Sequence, residues 1–209
     1  MTTTIGDKIA AALLEIKAVA LRPHDPFIWA SGLRSPIYCD NRLTISYPEI
    51  RDMIADGFVE LIRAQYPDVE VIAGAATGGV PHAAWVAQKM NLPMIYVRSS
   101  AKKHGQGKMT EGVLKEGQKV VIIEDLISTG GSVLKVVEGV RGEGGHVLGV
   151  AAIFSYQFQK ADENFAEVGV PFATLSNYSA LLPIAVQENY VSADDLELLN
   201  KWKDAPEAF

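Results

Sequence analysis

Two carboxylates, Glu124 and Asp125, stand side by side at the end of an apolar run, in the stretch VVIIEDLISTGGSV over residues 120–133. Adjacent acids repel each other unless something shares their charge. Sugar hydroxyls do so by donating hydrogen bonds, and Mg²⁺ does so by binding oxygen. The residues that follow, Leu126, Ile127, Ser128, Thr129, Gly130, Gly131 and Ser132, lead into a predicted helix. Backbone N–H groups at a helix N-terminus form a ready anion site, and glycine lets a phosphate come close. One loop therefore pairs a diol or metal end with a phosphate end, the dimension and polarity of a ribose 5-phosphate. The bland alternative is a strand-to-helix turn with a solvated acidic pair and a Ser/Thr cap.

A second loop repeats the signature. In AATGGVPHA, residues 75–83, Ala76, Thr77, Gly78 and Gly79 precede another predicted helix. Alone this is a tight turn; beside the first loop it is a second anion site, suited to a substrate with phosphate at both ends. A third loop, RSSAKKHGQGKMTEGVLKEG over residues 98–117, is polar, glycine-rich and without periodicity, and carries Arg98, Lys102, Lys103, His104 and Lys108. A loop of that length in a compact domain is functional or disordered. Next to two phosphate-type loops it reads as a cationic lid over a polyanion. His82 and His146 read as ordinary helix and strand residues. The chain has no Cys/His cluster with zinc spacing, no nucleophile elbow and no Walker lysine after GAATGG.

The elements that must hold these loops follow from periodicity. Ile5, Ile9, Leu13, Ile16 and Ala20 predict a helix over 4–20. Residues 21–44, with three prolines, predict turns and short strands. Ile50, Ile54, Phe58 and Leu61 predict a helix over 47–65. Then come a strand at 69–75, a helix at 79–90, strands at 93–98 and 119–125, a helix carrying Val133, Val136, Val137 and Val140, and strands at 146–154 and 171–176. Ser192 and Asp195 suggest a capping box opening a last helix over 193–203. Alternating strands and helices imply an α/β fold, a mostly parallel twisted sheet with helices on both faces. Ligands then bind outside the carboxyl ends of the strands, where the three loops fall.

The bulk numbers exclude other classes. The 209 residues suit one domain over 1–209, and 48% of them are hydrophobic. The net charge of −6 offers no general field for nucleic acid. No apolar run reaches membrane-spanning length, and the start MTTTIGDKIA lacks the features of a signal peptide. Cys39 is the one cysteine, which rules out an intrachain disulfide and reads as a packing residue. A cytoplasmic protein is expected, with no nucleic-acid or membrane partner.

The stretch VVIIEDLISTGGSV resembles the phosphoribosyl-diphosphate-binding motif of type I phosphoribosyltransferases. FIWASGLRSPIYCDNR (27–42), GAATGGVPHA (74–83) and YVRSSAKKHGQG (96–107) narrow the resemblance to the orotate phosphoribosyltransferase family, in order and spacing and over most of the chain. It implies the type I phosphoribosyltransferase fold, with residues 1–45 contributing to a small N-terminal hood over the base and 98–117 forming the mobile lid. The implied reaction joins orotate to the ribosyl group of 5-phosphoribosyl 1-diphosphate, with Mg²⁺ required and carried mainly by substrate phosphates. The product is orotidine 5′-monophosphate, a step of de novo pyrimidine synthesis. A homodimer is implied, one subunit's lid closing over the other's site. By position, Glu124 and Asp125 would hold the ribose hydroxyls and Ile127 to Ser132 the 5′-phosphate, with Leu126 also in the phosphoribosyl-diphosphate site and Ser128 also near orotate. Arg98, Lys102 and His104 would engage the pyrophosphate, Lys102 and His104 as catalytic groups, and Ala76, Thr77 and Gly78 would line the pyrophosphate loop. Three family cations are absent: Ser99 follows the lid arginine, Ala30 precedes the Ser-Gly pair, and IFSYQFQK has no arginine. Arg42, and after it Arg34, is then expected to meet the orotate carboxylate. Two other readings compete. One is a phosphoribosyltransferase acting on uracil or a purine. The other is a regulator of the same fold that binds nucleic acid, which the acidic charge opposes.

Overall fold

The computed structural model describes residues 4–98 and 109–209. Thr4 opens the first helix, α1 (Ile5–Glu15), with a reciprocal capping box to Asp7. The helix is shorter than the expected 4–20, because the chain turns at Lys17 (φ 58°) and spends Val19–Leu21 on a strand, β1. That strand pairs antiparallel with β4 (Ile37–Cys39), while β2 (Phe27–Ile28) pairs with β3 (Arg34–Ser35). Ile16 and Ala20 fit a helical stripe, but pairing with β4 overrides that local preference. A 3₁₀ segment, Asn41–Ser46, leads from this N-terminal part into α2 (Pro48–Gln65), which begins with proline in its first turn.

The rest is the anticipated α/β alternation. Strand β5 (Val71–Ala75) is followed by α3 (Gly79–Met90), β6 (Met94–Val97) and the short β7 (Thr110–Glu111). Then come β8 (Lys119–Ile127), α4 (Gly131–Gly142) and β9 (His146–Ser155). The chain ends with α5 (Gln159–Val168), β10 (Phe172–Asn177), α6 (Tyr178–Gln187) and α7 (Leu196–Asp204). Two helices, α5 and α6, were not expected. The first is polar and buries only Ala161 and Phe165, and the second carries Pro183 in its interior, so neither shows a plain apolar stripe. The final helix splits into a 3₁₀ turn at Ala193–Asp195, with the Ser192–Asp195 capping box present, and then α7.

The six-stranded sheet runs β10-β9-β8-β5-β6-β7, parallel except for β7. Its core strands are buried on both faces. Val121, Ile123, Ala151 and Ile153 pack toward one cluster with Ile9, Phe58, Val86 and Trp202. Val120, Ile122, Val150 and Ala152 pack toward the other with Val133, Val137 and Phe165. The near-continuous apolar runs are what a doubly covered parallel sheet requires. From β5 the chain steps outward to β6, then returns to the opposite side of β5 as β8 and moves on to β9 and β10. The order reverses between β5 and β8, the place where open α/β sheets bind ligands.

Candidate active site

The two loops singled out first meet at that reversal. Loop 76–78 leaves the carboxyl end of β5, and residues 124–130 close the neighbouring β8 and enter α4. The contact is close. A Cβ on Gly78 would lie 2.4 Å from Cγ of Asp125, and one on Gly79 would lie 2.1 Å from the carbonyl oxygen of Ile123. Glycine at 78 and 79 is what lets the two loops stack. The Ala76–Thr77 peptide is cis, the Ala76 N–H donates to the Val97 carbonyl at 2.9 Å, and Thr77 is exposed.

The acids lie inside β8, which runs two residues past its expected end at 125. Glu124 is buried, 7% exposed, and its Oε1 accepts the Asp125 N–H at 2.9 Å; Asp125 is half-buried. Burial, then the hydrogen bond and charge of Asp125, push the Glu124 carboxyl well above the usual carboxylate range. The crowded negative charge at this point favours a partner that shares it. Hydroxyl donors or a cation can be that partner.

The phosphate-type loop is held from two sides. The Tyr156 N–H donates to the Ile127 carbonyl at 3.1 Å, and Asn164 Nδ2 donates to the Thr129 carbonyl at 2.8 Å. Gly130 has φ 79°, and a Cβ there would meet the Phe165 ring at 2.6 Å. Asn164 and Phe165 both belong to α5, so an unexpected helix is what braces the loop. Ser128 is half-buried, and Thr129, Gly131 and Ser132 are exposed at the mouth of α4, whose first amides have no partner within the helix. Leu126 is half-buried and packs against the larger core cluster.

Of the cationic loop, Arg98 is described; Lys102, Lys103, His104 and Lys108 lie outside the described residues. Arg98 forms an ion pair with Glu111 on β7, and its N–H donates to the Met109 carbonyl at 3.1 Å. Glu143 Oε1 accepts the N–H groups of Met109 at 3.0 Å and Thr110 at 3.2 Å. Residues 98 and 109 are thus pinned together by β6 and β7, and the part of the loop after 109 has regular structure that the aperiodic sequence did not signal.

Arg42 grips Asp40 with two bonds, Nε to Oδ1 at 2.7 Å and Nη2 to Oδ2 at 2.8 Å. That bond holds the Asp40 carboxyl below its usual range. Arg42 is exposed, and the donors of Nη1 remain for a second acceptor. Arg34 is exposed on β3, its carbonyl accepting the Trp202 indole N–H at 3.3 Å. Cys39 is buried, and its thiol is pushed well up by burial and by the nearby Asp125 and Asp40 charges, the setting of a packing thiol. His82 is fully buried with a pKa pushed down by burial to about 4, and is neutral. Asn41, between Asp40 and Arg42, was not anticipated. Its Nδ2 donates to the Asp125 carbonyl at 2.6 Å.

Among the described residues no group of three or more His, Cys, Asp or Glu could hold a metal ion, and no helix is long and apolar enough to cross a membrane. The donors at the site are hard carboxylate oxygens, the kind that takes Mg²⁺ through one or two protein carboxylates plus substrate phosphates.

The chain is similar to known proteins over most of its length. The phosphoribosyl transferase domain model matches residues 46–178, leaving the N-terminal strands outside it. An orotate phosphoribosyltransferase of Streptococcus gordonii is 56% identical over 204 residues, 98% of each chain. The crystal structure of orotate phosphoribosyltransferase from Aeropyrum pernix superposes with a TM-score of 0.74 at 28% identity, covering 86% of this chain and 98% of that one. The Mycobacterium tuberculosis H37Rv enzyme in complex with 5-phospho-α-D-ribosyl 1-diphosphate gives a TM-score of 0.64 at 26% identity, covering 84% and 98%.

Proposed function

We propose a role for each part of the site from one premise, that this chain belongs to the orotate phosphoribosyltransferase family. The reaction transfers the ribosyl 5-phosphate of 5-phosphoribosyl 1-diphosphate to orotate, giving orotidine 5′-monophosphate and pyrophosphate for pyrimidine nucleotide synthesis. The observation that carries the assignment of parts is the stacking of loop 76–78 against Asp125 at the sheet's switch point. A ligand with a sugar between two phosphate groups spans those loops.

The bond that breaks joins the anomeric carbon to the pyrophosphate oxygen, so positive charge grows on the ribosyl ring and negative charge on the leaving group. Glu124 and Asp125 accept hydrogen bonds from the ribose hydroxyls. Residues 127–132 cradle the 5′-phosphate with backbone amides, Leu126 leads into them, and Ser128, a member of that loop, also serves orotate. Ala76, Thr77 and Gly78 line the pyrophosphate path. Arg98, Lys102 and His104 stabilise the departing charge, Lys102 and His104 as the catalytic groups of the lid. Mg²⁺, when bound, supplies further positive charge to the phosphates. The lid excludes water that would otherwise attack the same carbon. The enzyme works as a cytoplasmic homodimer, with the lid of one subunit serving its partner.

Arg42 holds the orotate carboxylate through the edge of its guanidinium that Asp40 leaves open. A charge-assisted hydrogen bond contributes about 1.5–3 kcal/mol, so Arg42→Ala is expected to raise the orotate KM about tenfold or more. The KM for phosphoribosyl diphosphate should stay near the native value. Steady-state kinetics with each substrate varied decides it, and an unchanged orotate KM moves the role to Arg34.

The choice of base is tested by offering orotate, uracil, hypoxanthine and adenine in turn with Mg²⁺ and phosphoribosyl diphosphate. The expected result is loss of the orotate absorbance with pyrophosphate release, and no turnover of the others. Turnover of uracil without orotate would overturn the assignment.

A further inference from the structure

One buried asparagine ties three parts of the site together. Asn41 is fully buried in the 3₁₀ segment that leaves the N-terminal strands. Its Nδ2 reaches across 84 positions of chain to donate to the backbone oxygen of Asp125 at 2.6 Å. Its Oδ1 accepts the Cys39 thiol at 3.2 Å, which sets which way the amide faces. Its own carbonyl accepts the Thr44 hydroxyl at 2.6 Å, and Thr44 Oγ1 lies 3.3 Å from His82 Nε2. Since that hydroxyl donates to Asn41, a neutral His82 donates from Nε2, and Nδ1 is a buried acceptor with no hydrogen-bond partner among the described residues. His82 sits on α3, the helix that opens directly behind loop 76–78. The chain of bonds therefore runs from the acidic strand β8, through the base-side N-terminal segment, to the helix behind the pyrophosphate loop.

A leucine at 41 would fill a similar volume with no polar atoms, so packing alone does not require the amide. The amide's one long-range bond goes to a residue of the acidic pair. We propose that Asn41 is a positioning residue for the transfer reaction, fixing the backbone of Asp125 against loop 76–78 and linking the base-covering segment to both ribosyl-diphosphate loops. This rests on the reading that Asp125 grips the ribose hydroxyls.

The test compares Asn41→Asp and Asn41→Leu with the native enzyme and with Asp125→Ala. Asn41→Asp keeps the shape but, when ionised, cannot donate to the Asp125 carbonyl and adds charge beside it. It is expected to lower kcat/KM for phosphoribosyl diphosphate at least tenfold at pH 8. Relative to the native enzyme at each pH, the loss should shrink as pH falls, because the protonated carboxyl regains a donor. Asn41→Leu should show a similar loss at pH 8 that does not change with pH. A purely structural asparagine would lower the melting temperature and leave the kinetic constants of the folded enzyme within twofold of native at all pH values, and that result overturns the proposal. Should neither substitution at 41 fold, Thr44→Val breaks the link to His82, and normal phosphoribosyl diphosphate kinetics there count against the proposal in the same way. A strong loss in Asp125→Ala with none in the Asn41 variants overturns the positioning role alone. No loss in Asp125→Ala overturns the assignment of the acid and the positioning role with it.

Discussion

Replacing Lys102 with alanine is expected to lower kcat on the order of 10²–10³-fold, the cost of removing one preorganised charge or donor from a developing anion. The leaving group gains its charge only as the C1–O bond lengthens, so a cation placed there acts on the transition state and leaves ground-state binding much less affected. The KM values should therefore move far less than kcat. The fold should survive, because the lid's two ends are anchored without Lys102. Arg98 pairs with Glu111 and bonds to Met109, and Glu143 holds the Met109 and Thr110 amides. Following pyrophosphate release and nucleotide formation together adds a second readout. If the lid also excludes water, the variant should consume more phosphoribosyl diphosphate than it converts to nucleotide. A Lys102→Ala enzyme with near-normal kcat would show that this lysine takes no part in the chemistry.

The parts of the site differ in how far they could be read from residues alone. Helix α3 begins and ends where its pattern predicts, Gly79 to Met90, because GGVP marks its start and the asparagine at 91, in the left-handed region at φ 53°, marks its end. The two apolar strands β8 and β9 were legible because burial on both faces leaves no polar alternation to confuse them. Proximity was harder. That loop 76–78 touches Asp125 depends on β5 and β8 being neighbours, which strand order decides and local pattern does not. Asn41 was invisible for the same reason: its partner lies 84 positions away, and nothing in CDNR marks the amide apart from its neighbours. The helix α5 was missed because two buried side chains on a polar surface carry too little periodicity, yet Asn164 and Phe165 on it shape the loop at Thr129 and Gly130. Local chemistry thus pointed to a class of ligand, while the supports of the site rest on contacts between distant segments.

Adding a single methyl group at Gly78 is expected to disable the enzyme without unfolding it. The new Cβ would stand 2.4 Å from the Asp125 Cγ and 2.5 Å from its Oδ1, far inside contact distance. The obstructing atoms are a half-buried side chain that can rotate, so the conflict resolves by moving the carboxylate or by lifting loop 76–78. Either movement breaks the register between Asp125 and loop 76–78, the two parts proposed to grip the sugar and line the pyrophosphate path, and a misplacement of about 1 Å can cost about 10²-fold in rate. Gly78→Ala should therefore lose about that much in kcat/KM for phosphoribosyl diphosphate while melting close to the native temperature. Gly79→Ala supplies the contrast. Its Cβ would meet the Ile123 carbonyl oxygen at 2.1 Å, an atom of the central strand with no rotamer to escape into. There the strain falls on the sheet itself, and overpacking of this kind costs about 1–3 kcal/mol or more. Thermal denaturation and steady-state kinetics on the pair separate the two effects: lost activity with retained stability at 78, lost stability at 79. Native-like phosphoribosyl diphosphate kinetics in Gly78→Ala would mean that Asp125 can leave its place against the loop freely, and the close packing at the switch point would then have no part in binding the substrate.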